Sequence, residues 1–90
     1  MKDKGLNSIL IPALWKYIKI YMNYPFDFID ANIPLKYYLY NHSDIQYIYD
    51  SMNLKLKRLN INYKFKASLD ITLNNFINQI HLLNDGKFKF

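Results

Sequence analysis

Residues 33–66 read IPLKYYLYNHSDIQYIYDSMNLKLKRLNINYKFK, and this stretch decides the fold class that the sequence implies. Leu35, Tyr37 and Leu39 alternate with Lys36, Tyr38 and Tyr40, the period of a half-buried strand. Ser43 and Gln46 then stand at capping-box spacing, with His42 and Tyr47 at the staple positions. Ile45, Ile48, Met52, Leu56 and Leu59 recur three or four residues apart, which puts them on one face of a helix. Lys55, Lys57 and Arg58 load its last turns, where cations suit the helix dipole, and Asn60 or Asn62 can end it. Ile61, Tyr63 and Phe65 against Asn62, Lys64 and Lys66 repeat the strand period. Two strands joined by one helix of this length predict a parallel pair with a right-handed crossover.

On the N-terminal side, Pro12 predicts a helix start, because its fixed φ suits the first helical position. Leu14, Tyr17, Ile18 and Tyr21 fall on one face of that helix, with Trp15, Lys16 and Lys19 elsewhere. The apolar run from Ser8 to Trp15 is far short of the roughly 20 residues a membrane span needs, and Asp3, Lys16 and Lys19 argue against a signal peptide. Residues 24–32, YPFDFIDAN, read as an irregular connection in which Asp27 and Asp30 form turns or caps. On the C-terminal side, Asp70 or Thr72 can cap a third helix with the apolar face Leu73, Phe76, Ile77, Ile80 and Leu83. Gly86 stops it, and Lys87 to Phe90 reads as a short terminal strand. The expectation is one domain over 1–90: a helix and connection at 1–32, a β-α-β core at 33–66, and a helix and strand at 67–90. Its class is α/β or α+β, a small two-layer sandwich in the order α-β-α-β-α-β.

Ninety residues support one modest core, and an apolar content of 51% predicts a globular chain. With no cysteine there is no disulfide framework and no thiolate nucleophile or ligand. Lys, Asn, Ile, Tyr and Phe dominate, Arg occurs once, and Glu and Val do not occur. Charge is one-sided. Residues 1–50 hold five lysines and five aspartates, whereas 51–90 hold six lysines and Arg58 against Asp70 and Asp85. The whole net charge of +5 therefore lies in the second part, which points to an anionic partner.

No catalytic motif appears. His42, Ser43 and Asp44 list the residue types of a hydrolase triad, but adjacent residues do not converge on one substrate atom, and helix capping accounts for them. His81 reads as surface or packing, no spacing fits a zinc site, and two glycines make no phosphate loop. The expectation is a protein without enzymatic activity, cofactor or metal. RNA is the expected partner, through Lys55, Lys57, Arg58, Lys64, Lys66, Lys87 and Lys89. Strands at 61–66 and 87–90 in one sheet would put Lys64, Lys66, Lys87 and Lys89 on one face. Tyr38 and Tyr40, opposite the inward leucines, would stack on unpaired bases or meet a partner.

The central unit resembles the small-subunit ribosomal protein S-ten family. The resemblance rests on a strand ending in a polar segment with Asp (KYYLYNHSD, 36–44), a helix from Ile45, and a basic end leading into a second strand (KRLNINYK, 57–64). Beyond Lys66 the family's proline-bearing loop, Ser-Pro-His segment and Arg-Glu-Gln-Phe-like helix have no counterpart. The resemblance implies contact with ribosomal RNA and neighbouring proteins of a large assembly, with Lys57, Arg58 and Lys64 facing RNA. A composition built from AT-rich codons agrees with a mitochondrial, organelle-encoded ribosomal protein, a cytoplasmic one being the other expectation. Two alternatives stand beside it. One is a viral or mobile-element protein that binds a host protein through exposed aromatics. The other is a peripheral subunit of a membrane complex that uses residues 8–22.

Overall fold

The computed structural model describes residues 5–23, 25 and 29–86. Three α-helices form there: α1 (Gly5–Tyr21), α2 (Ile45–Arg58) and α3 (Leu73–Asn84). Two 3-10 turns, Leu35–Tyr38 and His42–Asp44, lie between α1 and α2. Helix α1 packs on both α2 and α3. Its Leu10, Ala13, Leu14 and Ile18 meet Ile45, Ile48, Tyr49, Met52 and Leu56 of α2 and Leu73, Phe76, Ile80 and Leu83 of α3 in one buried cluster. Each set repeats at three or four residues, the spacing that lets a helix bury one stripe.

The expected α/β or α+β sandwich is overturned: the described residues contain no strand and no sheet, only isolated antiparallel bridges at Met22–Leu39 and Pro34–Thr72. The first expected strand fails at Tyr37. Leu35 and Leu39 are both buried, but they are four residues apart, a spacing that fits a helical turn as well as a strand. Alternation requires Tyr37 to be buried too, and it is 51% exposed. The backbone turns instead, with Tyr37 N–H donating to the Pro34 carbonyl and Leu39 N–H to the Lys36 carbonyl. Lys36 Nζ pairs with Asp70 Oδ1 at 2.8 Å and ties this turn to the segment before α3; that hydrogen bond raises the lysine pKa.

The second expected strand, 61–66, keeps its alternation: Phe65 is buried, Ile61 and Tyr63 are half-buried, and Asn62, Lys64 and Lys66 are exposed. It has no strand beside it among the described residues. Its buried residue, Phe65, is held by a side chain of α2. Phe65 N–H donates to Asn53 Oδ1 at 2.6 Å, and Asn53 Nδ2 donates to the Phe65 carbonyl at 3.1 Å. One amide therefore offers the donor and acceptor that a neighbouring strand would offer. The expected terminal strand at 87–90 lies outside the described residues.

Helix α1 starts at Gly5, seven residues before the expected Pro12 start, and Pro12 sits inside it. An internal proline removes one backbone bond and crowds the carbonyl four residues back, here that of Ser8. Both Ser8 and Pro12 are on the exposed face, where solvent can satisfy the freed carbonyl. At α2 the capping residues also shift. Asn41 N–H donates to Asp44 Oδ2 and Asp44 N–H to the Asn41 carbonyl, while Ser43 is exposed and Gln46 donates to Asp50. His42 lies edge-on to Tyr37 and Tyr47 stacks on Tyr21, so the expected staple pair separates.

The helix ends follow local chemistry. Asn60, at φ 61°, closes α2: its N–H bonds the Lys57 carbonyl and Ile61 N–H bonds that of Leu56, the two bonds of a Schellman motif. Thr72 caps α3 by accepting from Asn75 N–H, and Gly86, at φ 73°, ends it.

Tyr49 is fully buried and stacks on Phe76 with centroids 4.8 Å apart. Its hydroxyl lies near the Ser68 backbone but makes no hydrogen bond of acceptable geometry. Burial pushes its pKa from the ordinary 10.0 up to about 12. Because burial penalises the ionised phenol, stability is full below pH 10 and is lost as pH rises towards 12. Tyr49→Phe removes a buried, unpaired hydroxyl, so it is expected to stabilise the protein by about 1 kcal/mol at pH 7. It should also flatten stability between pH 10 and 12. Urea unfolding of both proteins across that range measures the two effects.

Candidate nucleic-acid interface

The C-terminal end of α2 and the segment that leaves it define the basic surface. The Asn60 turn sends the chain back along α2, and the Asn53 amide pins Phe65 beside it. Between helix and segment runs an open groove of about 740 Å³ that has Lys57 on one wall and Lys64 on the other. Asn53, Asn60 and Asn62 bring amides to it, Leu54 an apolar patch and Asp50 its acid. An adjoining hollow of about 390 Å³ reaches Gln46, Lys64 and Lys66.

The fold thus brings Lys57, Lys64 and Lys66 along one feature, by a route other than the expected sheet. Lys57, Arg58, Lys64 and Lys66 are exposed and form no ion pair among the described residues, where the one ion pair is Lys36–Asp70. Lys55 is half-buried on α2, and its backbone carbonyl accepts the Leu59 N–H. Lys87 and Lys89 lie outside the described residues. The sheet face expected for Lys64, Lys66, Lys87 and Lys89 does not form in its described part, since 61–66 belongs to no sheet there, and its Lys87 and Lys89 part lies outside the described residues.

The two tyrosines separate. Tyr38 is half-buried, its hydroxyl accepts the Asp30 N–H at 3.0 Å, and its carbonyl accepts the Asn23 N–H. That role is structural, and its ring is not the open stacking face that a strand would have given it. Tyr40 is 66% exposed. Tyr47, which the strand and staple reading missed, is 55% exposed, and its ring packs flat on Tyr21. The Tyr21 carbonyl accepts the Tyr40 N–H, so Tyr21, Tyr40 and Tyr47 gather at the other end of α2 from Lys57. Tyr47 falls outside the apolar stripe of α2, which was the available signal. Nothing in the sequence marked Asn53 as the residue that builds the groove, apart from its poor fit to a helix interior.

His42, Ser43 and Asp44 occupy one 3-10 turn, and the buried Asp44 carboxylate is engaged by the Asn41 N–H rather than by His42. Among the described residues, no group of three or more His, Cys, Asp or Glu side chains is placed to hold a metal. Nor is any helix there long and apolar enough to cross a membrane.

Comparison with family models, with curated proteins and with solved structures finds no match. The S-ten resemblance therefore rests on the residues quoted for it, and of its three elements only the helix from Ile45 forms as the family would have it.

Proposed function

We propose that this chain is a non-enzymatic, structural RNA-binding protein whose phosphate contacts come from Lys57, Arg58, Lys64 and Lys66. The observation that carries this reading is that the four cations are exposed and unpaired on the end of α2 and on the segment that runs back beside it, with Lys57 and Lys64 facing across one groove. Such an array is suited to a string of phosphates, which are neutralised by side-chain cations at little cost in side-chain desolvation. Tyr40 and Tyr47 offer ring faces to unpaired bases. A single arginine disfavours base-specific readout, which relies on bidentate contacts, so the affinity should depend on charge more than on sequence.

The test is the salt dependence of binding to a single-stranded RNA oligonucleotide, read by fluorescence anisotropy. Four phosphate contacts predict a slope of log affinity against log salt of about −3, or a roughly fifty-fold loss between 50 and 200 mM salt. Changing Lys57, Arg58, Lys64 and Lys66 together to glutamine should bring the slope close to zero and remove most of the low-salt affinity. Binding that ignores salt, or survives the fourfold change, overturns the proposal.

A further inference from the structure

The segment 61–66 has the side-chain pattern of a strand and lacks a sheet, and its backbone shows where the missing neighbour belongs. In an extended chain the N–H and C=O of one residue point to the same side, and those of the next residue point to the opposite side. Phe65 presents both groups to Asn53 of α2. The corresponding groups of Asn62, Lys64 and Lys66 therefore do not share that partner, and none of them makes a hydrogen bond among the described residues. All three residues are exposed. We propose that the outward backbone groups of Asn62, Lys64 and Lys66 form an unpaired strand edge that takes up an extended, acidic peptide segment of a partner protein by β-addition.

Charge selects the occupant. A second copy pairing through the same edge would set lysines against lysines, which is how natural edges resist self-association. An acidic strand reverses the sign: its carboxylates meet Lys64 and Lys66 along the edge. A ladder also uses both kinds of backbone group, whereas a phosphate takes only the N–H and leaves the carbonyls bare. This inference stands apart from the RNA reading. Both ligands draw on Lys64 and Lys66 and so compete, but only the peptide needs the backbone.

The experiment uses the full chain and a short blocked peptide that alternates Asp and Thr. The peptide should slow amide exchange at Asn62, Lys64 and Lys66 together. Lys64→Pro, which keeps an extended backbone but removes one ladder N–H, should weaken peptide binding by about tenfold. Lys64→Thr keeps the N–H, so it should weaken binding less and chiefly reduce its salt dependence. If Lys64→Pro loses helical circular dichroism, the exchange pattern of the unaltered protein decides. The inference is overturned if the peptide leaves those three amides unprotected, or if a folded Lys64→Pro protein binds as tightly as the original. It is equally overturned if oligouridylate, and not the peptide, protects them, or if the edge is protected by dimerisation alone.

Discussion

Replacing Phe65 by alanine is expected to lower the free energy of unfolding by about 4 kcal/mol, a value typical of a large aromatic removed from a core. The ring is buried, lies 5.4 Å from that of Phe76, and meets Tyr63 edge-on at the same separation. A chain of 90 residues has a total stability of roughly 5–13 kcal/mol at the usual 0.05–0.15 kcal/mol per residue, so the loss takes a large share of it. The effect should exceed that of an aliphatic truncation elsewhere in the core. Between Ile61 and Ala67, Phe65 is the one fully buried side chain, and no regular structure holds this segment. When the ring goes, the segment keeps the Asn53 amide and the half-buried Ile61 and Tyr63 to hold it. Chemical denaturation should show a lower midpoint, with α-helical circular dichroism retained below the transition. The RNA affinity proposed above should also fall, because Lys64 and Lys66 ride on the loosened segment. Tyr63→Ala, at a half-buried position, should cost distinctly less.

The two segments expected to be strands show how far the pattern of residues could carry the fold. Helices α2 and α3 were readable from their apolar stripes and their ends, because Thr72, Asn60 and Gly86 act through local chemistry that needs no distant partner. Leu35 and Leu39 were ambiguous for a geometric reason: a separation of four satisfies both a strand and one helical turn. Only the exposure of Tyr37 distinguishes them, and exposure is a tertiary fact. At 61–66 the alternation was real, since it reports one buried side of an extended chain. Alternation says nothing about what lies beside that chain, so Asn53 could stand where a neighbouring strand was expected. The start of α1 was hidden because Pro12 was read as a boundary, although an internal proline is tolerable when the carbonyl it frees faces solvent. The site was legible as charge and illegible as shape. Lys57, Arg58, Lys64 and Lys66 stood out in the sequence, but the groove that joins Lys57 to Lys64 depends on the Asn60 turn and the Asn53 clamp together.

That clamp makes Asn53→Asp the most informative single change. At neutral pH a carboxylate at this position still accepts the Phe65 N–H but has no proton to give the Phe65 carbonyl, and its charge faces that oxygen. The carbonyl loses its bond while staying part-buried, and the carboxylate is repelled by it; the two effects together should cost about 3 kcal/mol. Protonation restores the pattern, because a neutral carboxyl carries one donor and one acceptor, as the amide does. The folded state therefore favours the protonated acid and raises its pKa above the unfolded value of about 4. A raised folded pKa means that the contribution is fully present below the unfolded value and is lost as pH rises through the folded one. The Asn53→Asp protein should thus gain stability relative to the original as pH falls from 7 towards 4, and approach it at the acidic end. Asn53→Leu removes donor and acceptor alike, so it should be destabilised by a similar amount with no such pH dependence. Denaturant midpoints of the three proteins at pH 4 and pH 7 make the comparison. If the aspartate and leucine variants track each other at both pH values, the two-bond clamp is not what holds Phe65 in place.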